Sequence, residues 1–154
     1  MRTRRAILVA ATHAIMLGLC GMQAAALDHS PRQYYGAWQK PPQRNYFYRN
    51  LYYKPTPTFS GYKHHHVIFF PTRPNHFYFY NPYQKQFWGR CPTNHGGEPR
   101  YSLLAPADRK PTMAEIAETA FPPPGALPAI PESSDGLPLD LPPDDLPTDA
   151  ITAE

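Results

Sequence analysis

The chain has 154 residues, among them 21 prolines and 21 aromatic residues (11 Tyr, 8 Phe, 2 Trp), with 15 Lys/Arg against 12 Asp/Glu. So short and proline-rich a chain has room for one small domain and no multi-helix architecture. Its net charge of +3 comes from Arg2, Arg4 and Arg5, so the rest of the chain is neutral overall.

Residues 1–26 join those arginines to an apolar stretch over 6–20 and then Ala24-Ala25-Ala26. A positive start, a short apolar run and small residues at the end describe a secretory signal peptide, cleaved after Ala26. The run is too short for a comfortable membrane span, so no transmembrane segment is expected after cleavage. The mature protein is expected to be exported, to the periplasm or outside the cell. Cys20 offers a rival reading as a lipidated N-terminus, but Leu19 before it is not the small residue such a site prefers. Removal of the leader leaves Cys91 as the single cysteine, read as a buried small hydrophobe beside Trp88, with an intermolecular disulfide as the alternative.

Charge is segregated along the mature chain. Residues 27–110 hold twelve Lys/Arg and three acids, and residues 111–154 hold nine acids and no Lys or Arg. A basic body and an acidic tail imply two physically distinct segments.

Residues 27–62 alternate aromatic clusters (Tyr34, Tyr35, Trp38; residues 45–53) with prolines at 41, 42, 55 and 57. Proline removes a donor and restrains the residue before it, so this segment is expected to be extended chain packed along a sheet. Residues 63–110 are read as the sheet itself. Residues 65–70 form its first strand, and residues 76–81 a second with Phe77 and Phe79 on one face and His76, Tyr78 and Tyr80 on the other. Residues 85–91 return with Phe87 facing opposite to Trp88, and residues 100–104 supply a fourth. Short connections make the meander antiparallel. All eleven tyrosines, both tryptophans and seven of eight phenylalanines fall between Tyr34 and Tyr101, beside only Leu51, Val67 and Ile68, so the core must be built from rings.

Thr112 and Glu115 have the spacing of a capping box, and Met113, Ile116, Ala117 and Ala120 share a helical face, so residues 111–121 are expected to form one short helix. Residues 122–154, rich in proline and acid, are expected to be disordered. The fold expected is therefore mainly β, a small antiparallel meander of three to four strands with an aromatic core, one short C-terminal helix and a disordered acidic Pro-rich tail. At about eighty residues such a body buries only about 60% of its unfolded surface.

The strings YYGAWQK, KPTPTFSGYKHH, FYFYNPYQKQFWGRC, YSLLAPADRK and DLPPDDLP, which are spread along residues 34–147, resemble a group of short exported Tyr/Pro-rich bacterial proteins. That resemblance implies export and a shared fold, and no activity or site residues. Tyr78, Tyr80, Asn81, Trp88 and Pro92 also resemble the hairpin of the WW domain. The Asn81-to-Trp88 spacing is one residue short, the proline comes one late and Trp38 lies too far upstream, so this likeness is one of hairpin chemistry.

For function, residues 27–110 offer only Asp28, Glu98 and Asp108 as carboxylates, with no nucleophile motif and no phosphate-binding loop, so the protein is read as not an enzyme. His64, His66 and His76 are the metal candidates: residues 64 and 66 point the same way on a strand, and neutral imidazole suits zinc or copper. The ordinary reading of such histidines is a solvated strand edge. Tyr78, Tyr80, Trp88 and Arg90 are the binding candidates, a ring-and-guanidinium groove for an unknown protein or an envelope glycan, or for the Pro-rich tail within or between chains, which would make the protein self-associate. Export argues against nucleic acid as a partner. The leading reading is an exported, non-catalytic interaction or cell-envelope protein, with a His-cluster metal-binding protein and a glycan-binding module as alternatives.

Overall fold

A computed structural model describes residues 30–148. The expected leader, its cleavage after Ala26 and the alternative at Cys20 lie outside the described residues. Among the described residues no helix is long and apolar enough to cross a membrane.

Residues 47–53 read Phe-Tyr-Arg-Asn-Leu-Tyr-Tyr and bury every second side chain, the period-two pattern of a strand with two unlike faces. They form the second strand of a six-stranded sheet: β1 (Gln33–Tyr35), β2 (Phe47–Tyr53), β3 (Lys63–Phe69), β4 (His76–Asn81), β5 (Gln86–Pro92) and β6 (Ser102–Leu103). Strand order follows the sequence and every pairing is antiparallel, so the expected meander is present. It is longer than the three to four strands expected, because residues 27–62 supply β1 and β2 rather than merely lying along the sheet.

One sheet face carries Leu51, Tyr53, Val67, Phe77, Phe79 and Trp88 in a single buried cluster, and the other carries Ile68, Tyr78 and Phe87. The expected division of β4 into Phe77/Phe79 and Tyr78/Tyr80 is observed, as is the opposite facing of Phe87 and Trp88. Between β4 and β5 the register shifts, with Phe79 opposite Gly89 and Tyr80 opposite Phe87. Trp88 is therefore the extra residue of a β-bulge. The Tyr101 ring stacks on Trp88 at 5.2 Å and 27°. It lies so close over Gly89 that a Cβ there would overlap the phenol ring.

The helix expected over 111–121 is replaced by two single 3-10 turns, Met113–Glu115 and Glu118–Ala120. The Glu115 carboxylate accepts bonds from the Thr112 N–H and hydroxyl, so the capping residues do meet. Ile116 and Ala117 are nevertheless extended. Nucleating an isolated helix this short is unfavourable, and the extended link lets Met113, Ile116 and Phe121 all reach the face carrying Tyr78 and Phe87. Ala117, expected on the apolar side, is exposed.

The tail expected to be disordered is instead laid across the opposite face as far as residue 148. Ile130 and Leu139 are each 1% exposed within the cluster around Tyr53 and Trp88, and Ile130 N–H donates to Leu137 O while Leu139 N–H donates to Pro128 O. Acids of the tail meet cations of the body in the pairs Asp135–Arg32, Glu132–Lys63 and Asp145–Arg49, and Asp144 lies 2.8 Å from His95 Nε2. Composition judged the tail by whether it could build a core of its own. It has only to complete one, and burying an aliphatic side chain contributes about 1.5–3 kcal/mol.

Candidate functional site: a ring-lined groove

The face that β1 to β5 present beside the 105–121 segment is a ladder of rings, exposed at Tyr34 and half-buried beyond it. Tyr34 stacks on Tyr52 at 4.8 Å, Tyr52 lies 6.0 Å from His64, His64 lies 5.4 Å from His66, and His66 stacks on Tyr80 at 6.3 Å and 11°. Alternation places them: Tyr34, Tyr52, His64, His66 and Tyr80 occupy same-face positions in successive paired strands. Such cross-strand ring pairs each contribute roughly 0.2–1 kcal/mol to the sheet.

At the far end of the ladder the sheet is flanked by the turn around Pro41 and Arg44 and by Pro111 to Met113, which enclose a groove of about 600 Å³. Its floor is Tyr48, His66, Ile68, Tyr80 and Phe87, with Tyr46 and Phe70 alongside. Tyr80 meets Phe87 edge-on at 5.0 Å and Tyr48 meets His66 at 5.2 Å. Arg44 and Thr112 supply polar groups to the lining, which contains no carboxylate.

His66 is fixed by its neighbours. Asn50 Nδ2 donates to the Tyr52 hydroxyl at 2.9 Å, so Asn50 Oδ1 is the acceptor facing His66 Nδ1 at 2.8 Å. The proton therefore sits on Nδ1 and the lone pair on Nε2. Burial, and then the charge of His64, lower the His66 pKa below the usual imidazole range, so the ring is neutral at pH 7. Burial and Tyr46 raise the Tyr80 phenol, which keeps it protonated.

Of the binding candidates, only Tyr80 lines this groove. Tyr78 is 1% exposed and pairs across the sheet with Arg90; Arg90 stacks 4.1 Å from the Phe121 ring centroid and bonds Glu118 at 2.5 Å. Both lie beneath the 113–121 segment. Trp88 is 0% exposed on the opposite face, so the four do not form one surface, and the tail lies on the Trp88 side rather than against Tyr78 and Tyr80. Tyr46, Tyr48 and Phe87 line the groove without being among the binding candidates named from the sequence, although the alternation through residues 46–53 carries the signal for the first two.

The metal candidates separate in the same way. His64 and His66 are neighbours, but His76 stands four residues along β4 from Tyr80, the partner of His66, about 13 Å away at strand rise. Among the described residues no group of three or more His, Cys, Asp or Glu is placed to hold a metal ion. His95 is buried beneath the tail, with Nε2 3.0 Å from Pro142 O and 2.8 Å from Asp144. Cys91 is a free, buried thiol in the cluster with Trp88, and burial pushes its pKa far up.

No protein-family model, curated protein or solved structure matches the chain.

Proposed function

We propose that the protein is an exported, non-catalytic interaction module of the cell envelope, and that the groove over Tyr48, Tyr80 and Phe87 is where it takes its ligand, a glycan built from N-acetylated sugars. The observation that carries this reading is the accessible line of rings leading into an apolar groove. Sugar rings present flat C–H faces that stack on tyrosine and phenylalanine, and an acetamido methyl suits the Ile68 and Met113 wall, while Arg44, Thr112 and the tyrosine hydroxyls supply the few polar contacts that orient a ligand. The absence of carboxylates from the groove lining and the burial of the Cys91 thiol on the other face support a binding role over a catalytic one.

Titration of the mature chain with a soluble β-1,4-linked N-acetylglucosamine hexamer, followed by amide and aromatic NMR shifts, tests it. Perturbations are expected at Tyr46, Tyr48, Tyr80 and Phe87, with at least a tenfold loss of affinity in Tyr80→Ala. Shifts absent from these residues at millimolar sugar would sink the glycan reading.

A further inference from the structure

We propose that His64 and His66 form a two-imidazole site for zinc(II) on the exposed face of β3, with Asn50 as the group that orients His66. Four observations carry it. The two rings project from the same face of one strand, at positions i and i+2, and both are only half buried. Their centroids are 5.4 Å apart. With zinc–nitrogen bonds of about 2.0–2.1 Å, each centroid lies about 3.2 Å from the ion, so tetrahedral geometry asks for a separation of about 5.2 Å.

Asn50 Oδ1 accepts from His66 Nδ1 and leaves the Nε2 lone pair free, the arrangement by which a metal-bound histidine is held in one tautomer. Lys63 lies on the opposite face of β3, where its ammonium is 3.7 Å from Glu132, so the nearest lysine on the strand is not aimed at the imidazoles. Two protein ligands leave two positions for water or for a donor atom of a second molecule, which is the open kind of zinc site rather than a closed structural one. The proposal does not depend on the glycan reading of the groove.

The test is calorimetric titration of the mature chain with zinc(II), every protein carrying His29→Ala so that no imidazole near the amino terminus competes. One ion per chain with a dissociation constant of about 1–100 µM is expected. His64→Ala or His66→Ala should abolish binding in that range, and His76→Ala should leave it unchanged. Asn50→Ala should weaken it about 10–100-fold, while Asn50→Asp, which offers His66 a carboxylate, should restore or exceed the starting affinity. Amide shifts on zinc addition should centre on residues 50 and 64–66, a readout that also reports whether each variant is folded. No saturable binding, equal affinity in folded His66→Ala, or loss of affinity in His76→Ala would each overturn the proposal.

Discussion

Arg49 and Asp145, ninety-six residues apart, are joined by two hydrogen bonds of 3.0 and 2.5 Å. The guanidinium is 4% exposed and lies 4.2 Å from the Trp38 ring centroid, whereas the carboxylate remains 56% exposed. Trp38 also donates its indole N–H to Asp145 O at 3.0 Å. The last described turn of the tail is thereby fastened to the one inward-facing cation of β2.

That asymmetry of burial predicts an asymmetry of mutational cost. Asp145→Ala strands a buried guanidinium and should destabilise by about 1–2 kcal/mol, held down because solvent already screens the carboxylate. Arg49→Met removes the buried charge together with its need for a partner and should cost less, or even stabilise. Urea melts of the two variants check the order, and a larger loss in Arg49→Met would contradict it.

The tail's hold on the sheet should be mainly apolar. Ile130→Ala and Leu139→Ala each remove an aliphatic side chain that is almost wholly enclosed, at an expected cost of about 2–5 kcal/mol. Raising salt should weaken docking only slightly, since the tail's exposed ion pairs contribute about 0–1 kcal/mol each. Limited proteolysis across residues 125–148 distinguishes the two contributions: cleavage should accelerate strongly in Leu139→Ala and little in 1 M salt, where screening is nearly complete.

Gly89→Ala should be among the most damaging single-methyl changes in the chain. The new Cβ would occupy the space of the Tyr101 ring, which is buried and stacked on Trp88, and overpacking of this kind costs about 1–3 kcal/mol. Pairing the change with Tyr101→Ala relieves the overlap with the ring, while the Ser102 carbonyl oxygen still stands 2.6 Å from the new Cβ. A thermodynamic cycle of the two substitutions should therefore show strong coupling, and additive costs would refute the contact.

Stability should fall on the acid side of neutrality. Burial, reinforced by His64, His66 and Lys63, lowers the His65 pKa to about 3, and burial also lowers His66 and His76. In the fold these rings take up protons at lower pH than in unfolded chain, which does so below about pH 6.5. Their contribution is therefore fully present above about pH 6.5 and is lost as pH falls, down to about 3 for His65, at about 1.4 kcal/mol per pH unit for each proton. Asp135, held low first by its bond to Arg32 and then by Ser133, acts in the same direction at lower pH. Denaturant melts between pH 7 and 4.5 in chelator should show the slope, and His65→Leu should flatten it by about one proton.

The chain itself determined what its local patterns can specify. Phe77 and Phe79 against Tyr78 and Tyr80 follow from alternation alone, because successive side chains of a strand must face opposite ways. The dominance of rings in the core follows from the scarcity of aliphatic residues between Tyr34 and Tyr101. Alternation was harder to read in β2, where Arg49 sits at an inward position that the pattern assigns to an apolar residue. Only Trp38 above it and Asp145 beyond it make that position tenable.

Tertiary structure decided the rest, because the remaining questions concern which distant segments meet. Ile130 and Leu139 are too few to build a core within residues 122–148, and they are ordered by a sheet face formed elsewhere in the chain. Met113 and Ile116 have helical spacing, yet the surface they dock on favours two turns with an extended link. Tyr78 and Tyr80 are equivalent in sequence, but the 113–121 segment covers the first and leaves the second at the groove. Burial depends on what lies above a residue, and that is set by contacts made forty positions away.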